Sequence, residues 1–239
     1  MRRFLHITKG LSVMALVVFL YAFSSSRNMD QPISDVKINF VGQSPLYLSS
    51  SSVDKLLIQN QESIECLSKE VLDLNGLEVK LSSHQMVQNV EAYLTVDGEV
   101  RLEIEQRKPI ARVVSEPSFY IDSYGKMMPL SAEHSARVLL VHGHLDKESM
   151  QLVFELIKAI KEDRFLNSNV TDILIDAESN LSMRMRACDF DIIIGSKKDL
   201  KQKFMKLKAF YQKAKRDKML GEYKKVNLQY NQQVVCTKK

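Results

Sequence analysis

An α+β fold, carried in two domains behind an apolar N-terminal segment, is what this sequence predicts. Three observations carry the prediction. Apolar residues alternate with polar ones at Val36, Ile38 and Phe40 and again at Val100, Leu102 and Ile104, the period of half-buried strands. Helical spacing of three and four recurs over Leu152–Ile160 and Leu200–Ala214. Between these sets, Pro109 lacks an N–H for a ladder, so a strand running in from Val100 ends there or reaches a sheet edge. The apolar pattern restarts at Ile110, which sets a domain boundary between residues 106 and 107.

The composition is that of a globular chain: 239 residues, 45% hydrophobic and 26% charged, with a mild net charge of +5. Much of the positive excess lies at the N-terminus and in one C-terminal helix, so it gives no general case for nucleic acid. Arg2, Arg3 and Lys9 precede the apolar run Leu11–Phe23, an order that keeps the N-terminus in the cytoplasm and exports the remainder of the chain. Two readings stay open for this run of ~13 residues, against the roughly 20 of a full span. One is a membrane anchor extended by Phe4, Leu5 and Ile7. The other is a cleavable signal peptide with Ala22-Phe-Ser24 as its site. On the anchor reading, 1–10 is a short cytoplasmic tail, 11–23 the single span and 24–32 a polar linker. Cys66, Cys188 and Cys236 are odd in number and far apart, which argues against a disulfide framework or a zinc site.

Residues 33–106 predict the order β-α-α-β-β. A strand at Val36–Phe40 ends at Gly42. Ser49–Ser52 offer N-caps to a helix carrying Val53, Leu56 and Leu57, and a second helix runs near Leu74–Leu81. A hairpin comes next, around Val96-Asp97-Gly98. A two-residue loop would set Leu94 opposite Arg101 and split the apolar face. A three-residue loop with Gly98 in the left-handed region pairs Leu94 with Val100 and Ala92 with Leu102, and is preferred.

Residues 107–239 predict strands at Ala111–Val114, Phe119–Ile121, Met127–Leu130 and Val138–Val141, then a helix with Leu152, Val153, Leu156, Ile157 and Ile160 on one face. Three further strands, Val170–Ala177, Leu181–Ala187 and Asp189–Ile194, lead into the longest helix, about Lys197–Lys218. The chain closes on Val226, Leu228 and Tyr230 in alternation and then Gln233–Thr237.

Little in this pattern resembles a catalyst. His142-Gly-His144 with Asp146 could share one face of an extended segment and converge on an ion, the basis of a metal-dependent hydrolase reading. A polar strand end accounts for them better, since the sequence offers no fourth ligand nearby and no HExxH-type helix. Asp122, Asp172, Asp176, Asp189 and Asp191 are scattered. No phosphate loop or nucleophile elbow is present, and 8 glycines leave little for one. The lysines from Lys197 to Lys218 read as the solvated face of a helix. Tyr223–Tyr230, polar on one side and apolar on the other, would offer a template for a partner strand if it lay at a sheet edge.

Gln106-Arg-Lys-Pro-Ile-Ala111, then Tyr120-Ile-Asp122 with Gly125 and Met128-Pro-Leu-Ser131, and finally Tyr223–Tyr230 with Gln233-Val-Val235, resemble the FtsQ/DivIB family of bacterial cell division. The likeness runs from about Ile33 to about Val235 and leans to the Bacteroidetes branch, since Asn231-Gln-Gln departs from the proteobacterial turn. It implies a retained signal anchor in the inner membrane, a POTRA-like domain over 33–106, and a "β domain" over 107–239 with an antiparallel sheet and two packing helices. It also implies a non-enzymatic divisome scaffold at the septum, without cofactor or metal. The partners would be FtsB- and FtsL-like proteins, with FtsK-like and other divisome subunits in addition. They would be bound through Val226, Leu228, Tyr230, Gln232 and Gln233, with Leu228 and Tyr230 matching the family's Leu-x-Tyr. A POTRA-bearing outer-membrane assembly factor is the remaining rival, and it would bring several POTRA copies or a barrel.

Overall fold

The computed structural model describes residues 2–29, 33–42, 47–58 and 72–239. Cys66 and residues 30–32 of the predicted linker lie outside them. The chain divides into two compact units, Met1–Gln106 and Arg107–Lys239.

The first unit opens with helix α1 (Arg2–Met29). Between Leu11 and Phe23 its apolar side chains point outward all round, and none of the large ones is less than 54% exposed. Among the described residues no helix is long and apolar enough to cross a membrane.

Strand β1 (Asp35–Phe40), helices α2 (Ser50–Ile58) and α3 (Leu74–Ser82), and strands β2 (Val87–Leu94) and β3 (Glu99–Gln106) come next, in the predicted order. β3 is central, with β1 parallel on one side and β2 antiparallel on the other. Its Val100, Leu102 and Ile104 are fully buried against Val53 and Leu57 of α2 and Leu77 and Leu81 of α3. The hairpin register is the three-residue one: Leu94 faces Val100, Ala92 faces Leu102, and Gly98 adopts φ 88°. A side chain there would have to enter the left-handed region, which glycine occupies without penalty. Glu78 of α3 accepts from Ala92 N at 2.7 Å, satisfying a donor on the outer side of β2. Gln106 closes the unit, accepting from Tyr47 N (3.1 Å) and donating to Leu48 O (2.8 Å).

In the second unit nine strands form one sheet: β4 (Pro109–Val114), β5 (Phe119–Asp122), β6 (Met127–Met128), β7 (Leu139–His142), β8 (Val170–Ile175), β9 (Leu181–Met185), β10 (Asp191–Gly195), β11 (Tyr223–Asn227) and β12 (Val235–Lys238). The spatial order is β12-β11-β10-β9-β8-β7-β4-β5-β6. Cross-strand register lines up Phe119, Val113, Val141, Ile173, Met183, Ile192, Val226 and Cys236 on one face. Helices α4 (Lys147–Glu162), α5 (Arg164–Asn169) and α6 (Leu200–Arg216) cover that row with Val153, Leu156, Ile157, Ile160, Leu166, Phe204 and Leu207.

The sheet is mixed rather than antiparallel, which corrects the expectation. β4 and β7, β7 and β8, and β10 and β11 run parallel. The last two pairs are joined through helices, and a helical crossover returns the chain to its starting end. There are also three packing helices instead of two. Asp163 ends α4 and caps α5, its Oδ1 accepting from Phe165 N at 3.0 Å and Leu166 N at 3.1 Å. The helix predicted over 197–218 spans 200–216 and is shorter than α1.

The motif Gln106-Arg-Lys-Pro has a physical account at its second residue. Asp122, 1% exposed, receives Arg107 Nη1 on Oδ2 at 2.8 Å. Its Oδ1 accepts the backbone N–H groups of Tyr124 (2.9 Å) and Lys126 (2.8 Å), which shape the turn from β5 into β6. Removing the cation would leave a buried charge without its partner, so Arg107→Met should cost about 3–5 kcal/mol in a denaturant titration. Breaking the exposed Arg184–Asp191 pair with Arg184→Met should cost under ~1 kcal/mol by comparison.

Candidate partner-binding surface

Around the closing strands, α6 sets the geometry. Phe204, Leu207, Tyr211 and Ala214 are its buried stripe, at the predicted spacing. Phe190, Phe210 and Tyr223 meet edge to face, with ring centroids 5.2–6.4 Å apart, and tie α6 to the start of β11. Lys203 sends its stem under the helix. Its Nζ donates to Ile194 O (2.9 Å) and Ser196 O (2.7 Å), at and just beyond the end of β10. Burial pushes the Lys203 ammonium below the ordinary lysine range.

The strand expected at the sheet edge is not there. β11 pairs parallel with β10 and antiparallel with β12, so its ladder is filled on both sides by its own chain. Val226 and Leu228 are fully buried and face the core, so their side chains present nothing to a partner. Leu228 N also donates to Ile193 O at 2.9 Å, carrying the pairing one residue past β11.

Tyr230, Gln232 and Gln233 are exposed, with Tyr230 at 49%. Asn227 Oδ1 accepts from Gln229 N at 2.9 Å and starts the turn toward β12. The edge itself is β12, whose outer side has no strand partner among the described residues. Val235 is 40% exposed there, and Lys238 pairs with Glu222 at 3.0 Å. Sequence reasoning places a segment at Gln233–Thr237 without recognising it as the edge. Its signal is present in the β-branched Val235 and Thr237 with Lys238 and Lys239 after them, a combination used to guard edges.

The remaining candidates have structural occupations. His142 Nε2 lies 2.9 Å from Asp172 Oδ1 on the sheet face opposite the helices. Gly143 has φ 125°, and a β-carbon there would sit 2.3 Å from Ile175 O, so this glycine is required by the fold. Asp146 caps α4 in a reciprocal box with Ser149. Hydrogen bonds from the Ser149 N–H and hydroxyl hold its carboxyl below the usual range. Among the described residues no group of three or more His, Cys, Asp or Glu side chains could hold a metal ion. Cys188 and Cys236 are free thiols; burial pushes Cys188 up to about 11 and raises Cys236.

Residues 108–237 match the family model described as FtsQ/DivIB, C-terminal related, which is more than half of the chain. The chain belongs to this family. Among solved structures it is similar to the major extracytoplasmic domain of the trans isomer of the bacterial cell division protein DivIB from Geobacillus stearothermophilus. The identity is 11%, over 37% of this chain and 78% of that one, with a TM-score of 0.28. No curated protein matches the chain. Membership sets this protein among the FtsQ/DivIB-type proteins.

Two measurements test the family's closing segment and the α4 cap. Leu228→Ala should destabilise the second unit by about 2–5 kcal/mol in chemical denaturation, the cost of a cavity at a fully buried leucine. Asp146 has a depressed folded pKa, so its stabilising contribution is complete above about pH 4 and fades as pH falls through the folded value. The melting-temperature gap between the parent and Asp146→Ala should therefore narrow on acidification.

Proposed function

We propose that this FtsQ/DivIB-type chain is a non-enzymatic scaffold of the divisome that docks FtsB- and FtsL-like subunits by strand addition to β12. The observation carrying this reading is an edge strand, Val235–Lys238, whose outer backbone ladder has no described partner, close in sequence to the half-exposed Tyr230. An extended peptide can complete such a ladder, and side chains beside it supply selectivity. Tyr230, Gln232 and Gln233 belong to this surface, while Val226 and Leu228 support it from the core. FtsK-like and other subunits join through the rest of the extracytoplasmic part. The first unit, with its β-α-α-β-β order and central β3, acts as the POTRA-like domain.

α1 is the inner-membrane anchor in this reading. Its described side chains, residues 10–25, include no Asp, Glu, Lys or Arg, and its apolar residues find no protein cover. Three basic residues precede this stretch, which leaves the bulk of the chain periplasmic, at the septum. The absence of enzymatic work is supported by the occupations of the acidic and histidine residues: Asp122 in a buried ion pair, Asp146 in a helix cap, His142 against Asp172.

A photo-crosslinking residue at Tyr230 or Val235 should capture an FtsB/FtsL-type subunit in dividing cells. Tyr230→Ala should weaken binding of that subunit about tenfold, the scale of a half-exposed aromatic contact, with an unchanged melting temperature. Lys238→Pro, which removes an outward-facing N–H from β12, should do the same. Undiminished co-purification with both variants would falsify the docking site.

A further inference from the structure

We propose that Lys206 is the positioning residue of this docking surface: its ammonium holds the main chain of Leu228–Asn231 and so fixes where Tyr230 stands. The inference rests on the docking reading above and extends it to a residue that makes no contact with the partner.

Lys206 Nζ donates to three backbone carbonyls of one short segment. It reaches Leu228 O at 3.2 Å and Asn231 O at 3.5 Å, and it also bonds Tyr230 O. A lysine ammonium has three donors and no acceptor, so three carbonyls use its full capacity. Its own position is not free to wander. Phe204 and Leu207, on either side of it in α6, are buried against the sheet, and Lys203 one turn earlier is anchored to Ile194 O and Ser196 O. The helix is thereby a fixed mount from which one cation reaches the segment.

That segment needs an external hold. Gln229 through Gln233 are exposed and lie between β11 and β12. Among the described residues, their backbone makes no backbone–backbone hydrogen bond of the kind that ends at Leu228 N. Asn227 secures Gln229 N, and beyond that the carbonyls toward α6 are held by Lys206. Pinning Tyr230 through its carbonyl leaves its ring half exposed, on backbone already ordered before a partner arrives. Ordering a loop on binding subtracts from affinity, so a pre-ordered segment binds more tightly with the same contacts.

The test compares Lys206→Met, which keeps the stem and removes the donors, with Lys206→Arg, which keeps charge and donors. The full chain in nanodiscs is monitored by chymotryptic cleavage after Tyr230, which needs the segment to leave its held conformation. In Lys206→Met, cleavage after Tyr230 should quicken about tenfold while the melting temperature holds. Affinity for the subunit cross-linked at Tyr230 should fall about tenfold, a scale set by the lost pre-ordering. Lys206→Arg should recover much of both. Unaltered cleavage in Lys206→Met overturns the lock, and so does a loosened segment with unchanged affinity. The cleavage arm needs no partner, so it separates failure of the lock from failure of the docking reading, which Tyr230→Ala tests by itself.

Discussion

The packing of α6 against the sheet is the interaction on which the second unit's functional end depends. A 17-residue helix leaves β10 at Gly195 and lays Phe204, Leu207, Tyr211 and Ala214 into the core. By crossing the sheet face it returns the chain to the start of β10, so β11 must run parallel beside it. β12 then folds back antiparallel and takes the outer position. Where the ladder ends, which residues are sealed and which remain available are all consequences of that one crossover. Leu228 is interior and Val235 is peripheral for this reason, although both read as apolar members of closing strands.

Local order is largely legible in the sequence. The Val100–Ile104 alternation defines a central strand, and the Ala92–Leu102 and Leu94–Val100 pairs come from keeping the apolar face whole around Gly98. Helical stripes in α4 and α6 fall at the expected residues. What local pattern does not contain is strand neighbourhood. Parallel against antiparallel, and edge against interior, are settled by which element crosses which face. The alternation of Val226, Leu228 and Tyr230 is compatible with either position. α5 is hidden for a different reason: Arg164–Asn169 is too short to build a stripe, and its one clear signal, Asp163, also reads as the end of the preceding helix.

The face of the nine-stranded sheet away from its helices shows how polar residues can mimic a site. Register places Arg112, Leu140, Asp172 and Arg184 in one cross-strand row, and Lys225 and Thr237 in its continuation. Asp172 bonds His142 and Asp191 pairs with Arg184, so polar groups satisfy one another across neighbouring strands. His142 is part of that pattern. Gly143 is fixed by the carbonyl of Ile175, and Asp146 by the helix it starts. Two of the residues that share a face in an ideal strand, His142 and Asp146, are thus drawn into separate tasks. Spacing alone describes an ideal strand, and the real chain turns at Gly143.

A strand of four residues is a slender template. β12 can give an incoming peptide only a few backbone hydrogen bonds, each of net worth about 1 kcal/mol, against the cost of association and of ordering that peptide. The ladder therefore supplies direction and register more than affinity. Selectivity has to come from side chains at its margin, where Tyr230 and Val235 offer apolar surface and Lys238 limits what can approach. Such a margin works only if it is already in place. The chain achieves this without lengthening the strand, by committing a lysine of α6 to main-chain carbonyls instead of to solvent. A cation that sequence reading assigns to a helix's wet face becomes part of the scaffold, and the stability of α6 in the core is carried over to a segment that has little of its own.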